Sequence, residues 1–417
     1  MRLLGGCCTI RAREISIATA GAIAEPVARQ AEALPVTTAG RLVSLDAFRG
    51  LTIAGMILVN DPGSWSAVYW PLDHAEWNGW TPTDLVFPFF LFIVGVSMTL
   101  SFAKRIERGA TRSALVRHIV MRSLAIFAIG LFINGLGRFI SNFPHFPFAT
   151  LRIPGVLQRI AVCYLCAGLI YLASGLEKGR RWQIAAIVVL LVGYWAVMTY
   201  VPVPGYGAGH LDPNSNLGAW LDRLTMGGHL WSQSKTWDPE GILSTFPAIA
   251  TPLIGVLVGD WLRRQRVTAR TALWLAALGA VGLLVGRALH PFFPINKKLW
   301  TSSFVIFTAG FAMVLLGLCY WLIDVKGWRR WSKPFVIFGM NALAIYVFAD
   351  VLAIFTTLFH VHRADGTLTT WHGYIYYTFF ASRISPYNAS LLYAIFFVVA
   401  CFVPAWLLYR KHIFLKI

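Results

Sequence analysis

The sequence carries little charge for its length. Only 13% of its 417 residues are charged, whereas 57% are hydrophobic; soluble domains carry roughly 25% charged residues. A chain of this composition cannot coat a surface that faces water. Its apolar residues form blocks of about 20, the length that a helix needs to cross a hydrocarbon core of roughly 30 Å. The composition therefore excludes a soluble protein and predicts an integral membrane protein.

Familiar catalytic signatures of soluble enzymes are also missing. The sequence contains no GxSxG, no P-loop, no GxGxxG after a strand and no HExxH. Cysteines are few, and Cys163 and Cys166 form a CxxC within an apolar block that has no flanking charge. We interpret this pair as small packing residues rather than as a redox or metal site. The sequence therefore predicts no bound metal and no disulfide.

Ten apolar blocks predict an all-α polytopic membrane protein with about ten transmembrane helices. Helices are expected because a lone strand cannot satisfy its backbone groups in lipid. Residues 1–40 are Ala-rich with scattered arginines, and we interpret them as a disordered cytoplasmic tail before a transmembrane domain at 41–417. The predicted spans are 44–61, 83–103, 118–137, 154–174, 183–202, 241–262, 271–290, 300–323, 334–359 and 389–409.

The positive charges predict the orientation of the chain. The net charge is +18, and the basic residues cluster in short runs between apolar blocks. Successive loops lie on alternate sides of the membrane. The loops of one side, together with the C-terminal end, contain 19 Lys and Arg residues, whereas the longer loops of the other side contain 8. By the positive-inside rule both termini are cytoplasmic. The same rule accounts for the charge without nucleic acid, which we do not expect as a partner.

We call the loops of the less basic set the outer loops. The first of them, residues 62–82, contains no Lys or Arg and one histidine, His74. Asp73 and Glu76 flank it in sequence, and a carboxylate beside an imidazole fixes its tautomer and raises its basicity. This pattern predicts a general base whose imidazole is oriented by one of the two acids. The alternative is an interfacial histidine between solvated acids.

Further polar residues stand out within or beside apolar blocks. Gln158 and Arg159 lie near the start of the fourth block, where a charge needs a partner, a polar cavity or a path to the interface. Arg159 is open to two interpretations, structural pairing or substrate contact. Lys297 and Lys298 lie in an outer loop against the positive-inside trend, which indicates either an anionic ligand or solvated lysines.

Several motifs together resemble the heparan-α-glucosaminide N-acetyltransferase family, including its bacterial NagX-type members. They occur in the order found in that family and span residue 41 to about residue 350. The motifs are Ser44-Leu45-Asp46-Ala47-Phe48-Arg49-Gly50-Leu51-Thr52, the run from His74 to Pro88, Gly155-Val156-Leu157-Gln158-Arg159-Ile160, Asp238-Pro239-Glu240-Gly241, Asn296-Lys297-Lys298-Leu299-Trp300-Thr301 and Gly339-Met340-Asn341.

The resemblance implies a transmembrane acyltransferase that moves acetyl from cytosolic acetyl-CoA to an amino sugar or glycan on the periplasmic side of a bacterial inner membrane. It implies that His74 is catalytic, with Asn60 in the same active site. We add Asn78 as a second candidate to stabilise the oxyanion. Expected partners are the acceptor and the lipid bilayer, and the sequence leaves open whether a second copy of the chain forms a homodimer. The residues expected to contact acetyl-CoA are Gln158, Arg159, Lys297 and Arg49. Arg41, at the same end of the first helix as Arg49, is a further candidate.

Other functions fit the same sequence. Ten helices with buried charges suit a transporter for amino sugars or related solutes equally well, although no inverted repeat is visible. Acylation of an envelope glycan by an unrelated fold makes similar demands. Within the acyltransferase interpretation, His74 either deprotonates the acceptor for direct transfer or is itself acetylated first; we favour the direct route.

Overall fold

The computed structural model describes residues 42–363 and 366–415, and these form a bundle of α-helices. The predicted tail at residues 1–40 lies outside the described residues. In chain order the helices are α1 Val43–Asn60, α2 Pro82–Glu107, α3 Arg112–Asn142, α4 Val156–Ala173, α5 Arg180–Tyr200, α6 Leu217–Met226, α7 Ile242–Arg263, α8 Ala269–Leu289, α9 Ser302–Cys319, α10 Lys333–Met340, α11 Ala342–Leu358, α12 Trp371–Ile375 and α13 Pro386–Arg410.

Nine helical spans in the described part of the chain are long and apolar enough to cross a membrane, and α10 with α11 forms a tenth that is broken. The prediction of an all-α polytopic membrane protein is confirmed. The span predicted at 334–359 is not one straight helix, because the chain bends by 84° between α10 and α11. At the bend Asn341 donates its side-chain amide to the Ile413 carbonyl and accepts from the Leu415 amide N–H. These bonds tie the break to the segment that follows α13.

The segments predicted as outer loops carry short elements of their own. The loop at 203–240 contains α6, and the loop at 360–388 contains α12 after an antiparallel pair of strands, β1 His360–His362 and β2 Leu368–Thr370. In this pair His360 lies opposite Thr370. We call the end of the bundle that carries these predicted outer loops the outer end.

The helices differ in how far they are buried. In α1, α2, α4 and α7 at least 61% of the apolar stretch of the helix is buried inside the protein. In α3, α5, α8 and α13 at most 28% of that stretch is buried. The first four form the centre, and the second four present apolar side chains outward, as lipid-facing helices do. Small residues allow close contact: a Cβ on Gly95 of α2 would lie 1.9 Å from the Pro252 carbonyl oxygen of α7. The centre of the bundle therefore supports the outer-end loops on closely packed helices.

Candidate functional site

The site begins where α2 begins. Thr81 precedes the helix, and Asp84 at its third position closes a capping box, in which the Thr81 amide N–H donates to Asp84 Oδ2 over 3.0 Å. The same oxygen accepts from the Ala75 amide N–H at 3.1 Å. The other carboxylate oxygen, Oδ1, lies 2.7 Å from Nδ1 of His74. One buried aspartate thus caps the helix, holds the loop and contacts the imidazole.

This contact defines the tautomer of His74. An ionised carboxylate only accepts hydrogen bonds, so the nearest ring nitrogen, Nδ1, carries the proton and Nε2 keeps its lone pair. The expectation that Asp73 or Glu76 orients the ring is wrong. The Asp73 carboxylate instead accepts the His74 backbone N–H at 2.7 Å. Glu76 is exposed, and its backbone carbonyl accepts from Lys298 Nζ.

A lysine from a distant part of the sequence completes the cluster. Lys297 Nζ lies 3.5 Å from Asp84 Oδ1, and it lies 3.1 Å from Nδ1 and 3.5 Å from Nε2 of His74. Burial lowers the pKa of Lys297, and the nearby Asp84 carboxylate opposes that shift. The turn that carries Lys297 is ordered by Asn296, whose Oδ1 accepts from the Leu299 amide and whose Nδ2 donates to Asn78 Oδ1. His74, Asp84 and Lys297 therefore form one contiguous group.

A cavity of about 180 Å³ opens beside this group at the outer end. Asn60, the last residue of α1, lines this cavity together with His74. Asn78 is not among the lining residues and is joined to Asn296 instead. Other lining residues are Met56, Val59, Ala75, Trp77, Thr83, Val86, Phe87, Val156, Trp231, Pro239, Glu240, Lys298, Trp300 and Tyr346. The cavity combines aromatic walls with charges of both signs.

An ion-pair cluster holds one wall of the cavity. Arg152 donates from Nε and Nη2 to the two oxygens of the fully buried Asp238 carboxylate, at 2.9 and 2.7 Å. Its Nη2 also lies 2.6 Å from Glu240 Oε2. Asp222 supports the same segment by accepting the Asp238 and Ile242 amide N–H groups, and burial raises its pKa to about 6. Glu240 is therefore fixed in place at the cavity wall.

The four predicted donor-binding residues separate into three places. Lys297 lines the cavity, whereas Gln158 and Arg159 line a different cleft. Arg159 does not extend to the interface, because it is 2% exposed and its guanidinium lies 5.1 Å from the ring centre of Trp300. Arg49 lies toward the opposite end of α1, where Nη2 donates to Ser97 Oγ at 2.6 Å. Arg41 is outside the described residues.

Two important features of the site were not predicted. The first is the orienting role of Asp84, which could have been inferred from the Thr81-x-x-Asp84 capping pattern directly after the histidine loop. The second is the aromatic group formed by Trp77, Trp231 and Trp237, in which neighbouring rings meet edge to face at 5.2 and 5.8 Å. Trp77 comes from the first outer loop, whereas Trp231 and Trp237 come from the loop at 203–240, and only the fold brings the two loops together.

The fold and the site together define a polytopic membrane protein with a histidine–aspartate–lysine group in a cavity at one end of its helix bundle. Comparison with known proteins specifies it further. The family model described as heparan-alpha-glucosaminide N-acetyltransferase, catalytic, matches residues 41–289. The chain belongs to this family, and the resemblance inferred from its motifs is confirmed.

Two curated relatives show the extent of the similarity. The chain is 32% identical over 365 residues to heparan-alpha-glucosaminide N-acetyltransferase of Mus musculus, covering 76% of this chain and 54% of the mouse protein. It is 32% identical over 376 residues to the protein of the same name from Homo sapiens, covering 78% of this chain and 55% of the human protein. The chain thus spans about half the length of the curated relatives it matches.

Proposed function

We propose that this chain is a transmembrane acyltransferase that transfers acetyl from acetyl-CoA to the amino group of an amino sugar or glycan at the outer end of the bundle. The observation that carries the proposal is the His74–Asp84 contact of 2.7 Å beside a cavity. Membership of an N-acetyltransferase family supports the same reaction class.

The proposed chemistry uses His74 as a general base. An amino sugar is an ammonium ion at neutral pH, so its nitrogen must lose a proton before it can attack a thioester. In direct transfer, the ammonium first releases one proton to solvent. The free amine nitrogen then bonds to the acetyl carbon while His74 Nε2 takes a second proton from that nitrogen. The carbon–sulfur bond then breaks, and the imidazolium returns the proton to the departing thiolate of coenzyme A. Asp84 stabilises the imidazolium between these steps.

The carbonyl oxygen of the acetyl group gains negative charge as the amine attacks. A positively charged Lys297 side chain can stabilise that charge from its place beside the imidazole, and Asn60 can donate a hydrogen bond from the end of α1. Asn78, which the sequence suggested for this role, acts in the proposal through Asn296 by ordering the Lys297 turn.

The cavity walls suit a cationic sugar as acceptor. Trp77 and Trp231 line the cavity, and tryptophan ring faces attract an ammonium group. The Glu240 carboxylate adds a negative charge at the same wall. The names of the two relatives specify a glucosaminide as their acceptor, which supports an amino sugar here.

The donor is proposed to approach from the cytoplasm, since acetyl-CoA is a cytosolic metabolite. This requires the orientation inferred from the basic loops, with both termini cytoplasmic in a bacterial inner membrane, residues 41–417 as the transmembrane domain and the His74 loop periplasmic. Arg49 is the candidate for donor phosphates on the cytoplasmic side, and Lys297 is the candidate near the acetyl end.

A vesicle assay tests the proposal. The purified chain is reconstituted with labelled acetyl-CoA on the side of the basic loops and a panel of amino sugars on the other. Labelled N-acetyl sugar should appear only on the His74 side. Uptake of unmodified amino sugar without acetylation would contradict the proposal and support a transporter.

A further inference from the structure

A second cleft lies beside the His74 cavity, among α3, α4 and α7. It has a volume of about 340 Å³, and most of its walls are apolar side chains, among them Phe127, Val162, Phe246 and Ile249. Phe246 is 50% exposed at the surface of the bundle. The cleft therefore opens sideways toward the region that lipid occupies.

The cleft runs from the outer end into the membrane-spanning part of the bundle. Its lining includes Pro154, just before α4 begins, and extends to Cys166 within that helix. From Val156 to Cys166 a helix rises about 15 Å, which is half of a hydrocarbon core of roughly 30 Å. These dimensions and apolar walls suit one hydrocarbon chain of the outer leaflet.

Two buried polar side chains interrupt the apolar walls in the first turn of α4. Gln158 is 4% exposed and Arg159 is 2% exposed. Among the described residues, Gln158 Nε2 and the Nε and Nη1 atoms of Arg159 have no hydrogen-bond partner, although Arg159 Nη2 donates to Gly241 and Ser244. Buried donors without acceptors are unfavourable. All three atoms are donors, so a ligand that satisfies them must present acceptor oxygens.

The cleft and the cavity adjoin. Glu240 lines both, and the Arg159 guanidinium lies against Trp300, which lines the cavity. A molecule whose hydrocarbon tail occupied the cleft would have its polar linkage at Gln158 and Arg159. Its head group would then lie beside His74.

We propose that the α3–α4–α7 cleft binds the hydrocarbon tail of a lipid-linked acceptor, with oxygens of the linkage at Gln158 and Arg159 and the amino sugar in the His74 cavity. This inference rests on the proposed function, because it names the class of acceptor for that reaction. It also gives Gln158 and Arg159 a role on the acceptor side in place of the donor contact that their sequence suggests.

The test uses the full chain in lipid nanodiscs and a labelled dodecyl glucosaminide as probe. Val162→Trp narrows the cleft, and Thr245→Trp does so from the facing helix in case the first variant does not fold. Val189→Trp is the matched control, because Val189 is 70% exposed on the lipid-facing side of α5. The readouts are saturable probe binding and the ratio of kcat/KM for the probe to that for free glucosamine.

We expect the wild-type chain and Val189→Trp to bind the probe saturably and to prefer it over glucosamine at least tenfold. Val162→Trp and Thr245→Trp should weaken binding at least tenfold and abolish the preference. Unchanged binding in both cleft variants would overturn the inference, as would equal displacement of the probe by a phospholipid without a sugar. Binding that depends on the cleft without any acetyl transfer would instead refute the proposed function and leave the lipid-linked sugar site standing.

Discussion

The cavity at His74 and the cleft at Arg159 are neighbours with opposite polar organisation. Around His74 the charged groups form ion pairs with one another. Asp84 pairs with the imidazole, Lys297 pairs with Asp84, and Glu240 pairs with Arg152. In the cleft, Gln158 and Arg159 retain buried donors without partners among the described residues. A network ordered before the substrate binds is what electrostatic catalysis requires, whereas unpaired donors indicate a place that a ligand completes.

The position of the two regions differs as well. The cavity groups come from the loops and helix ends at the outer end, so their positions depend on contacts between loops. The cleft is built into the helices, whose packing depends on apolar contacts and close approaches such as Gly95 against Pro252. Substitutions in the cavity should therefore affect chemistry and loop order, and substitutions in the cleft should affect which acceptor is used.

The largest effect is expected for His74→Ala. If the cavity is the site of chemistry, removal of the general base lowers the rate of acetyl transfer by about 10²–10⁴-fold. The variant is purified, shown to be folded by its thermal melt and assayed with acetyl-CoA and glucosamine. Transfer at a rate near that of the wild type would place the chemistry elsewhere.

The control for His74 is His145→Ala. His145 is an exposed histidine in another outer loop, and its loss should leave transfer unchanged. The same pair separates the two routes: labelled acetyl trapped on the protein without acceptor, in His145→Ala but not in His74→Ala, would favour an acetyl-histidine intermediate over direct transfer.

Arg152→Met tests whether ion pairs order the cavity wall. Removing Arg152 leaves the Asp238 carboxylate buried without its paired charge, and breaking such a pair costs about 3–5 kcal/mol. We expect the free energy of unfolding, measured in mixed micelles, to fall by about 3 kcal/mol, with a further loss of activity through Glu240.

The comparison for this prediction is Arg138→Met, near the end of α3 and just before the loop that holds Arg152. Arg138 donates to Thr150 Oγ1 at an exposed site, where loss of the contact should cost about 1 kcal/mol or less. Equal destabilisation by both substitutions would show that the burial of Asp238 does not increase the contribution of its ion pair to the free energy of unfolding.

Asp84→Asn tests the tautomer of His74 at nearly constant size. An asparagine can present its amide nitrogen to Nδ1, which places the ring proton on Nε2 and removes the base. Transfer should fall on the order of 10²-fold. Asp73→Asn is the matched change, because Asp73 contacts the His74 backbone rather than the ring. Comparable losses in the two variants would refute the assignment of Asp84 as the orienting residue.

The sequence predicted the helices better than the contacts between their ends. Apolar block length placed the spans to within several residues, because hydropathy over about 20 residues is a local property. The break at Asn341 was missed, since the hydropathy continues across it and its cause is a contact with Ile413 and Leu415.

Within the site, His74 was identifiable as the one histidine of a loop without Lys or Arg. Asp84 was missed despite its capping pattern, because adjacency in sequence favoured Asp73 and Glu76 as partners of the imidazole. Lys297 lies 223 residues away in sequence, and a turn ordered by Asn296 brings it to the imidazole. Such pairings depend on how loops from different helices meet, which no local pattern of residues encodes.

The smallest effect, and the sharpest test of the cavity's electrostatics, is expected for Lys297→Met. Loss of one charged contact in the transition state is worth about 1.5–3 kcal/mol, or roughly 10- to 100-fold in rate. Stability should change in the opposite direction. Burial lowers the pKa of Lys297 although Asp84 opposes that shift. We therefore expect methionine at this position to stabilise the fold at neutral pH.

The pH dependence gives that prediction its sign. An unfolded lysine has a pKa of about 10.4, and in the folded chain the pKa is lower. Between the two values the unfolded chain binds more protons, so the stability of the wild type rises with pH toward the unfolded value. The gain in stability from Lys297→Met is therefore largest below the pKa of Lys297 in the folded chain, and it decreases as the pH rises above that pKa. Unfolding is measured at about pH 6 and about pH 9.5, both below the unfolded pKa, with Lys104→Met as the exposed control for loss of one charge. An advantage that grows with pH would mean that the folded chain favours the ammonium form of Lys297, which would contradict the predicted gain in stability.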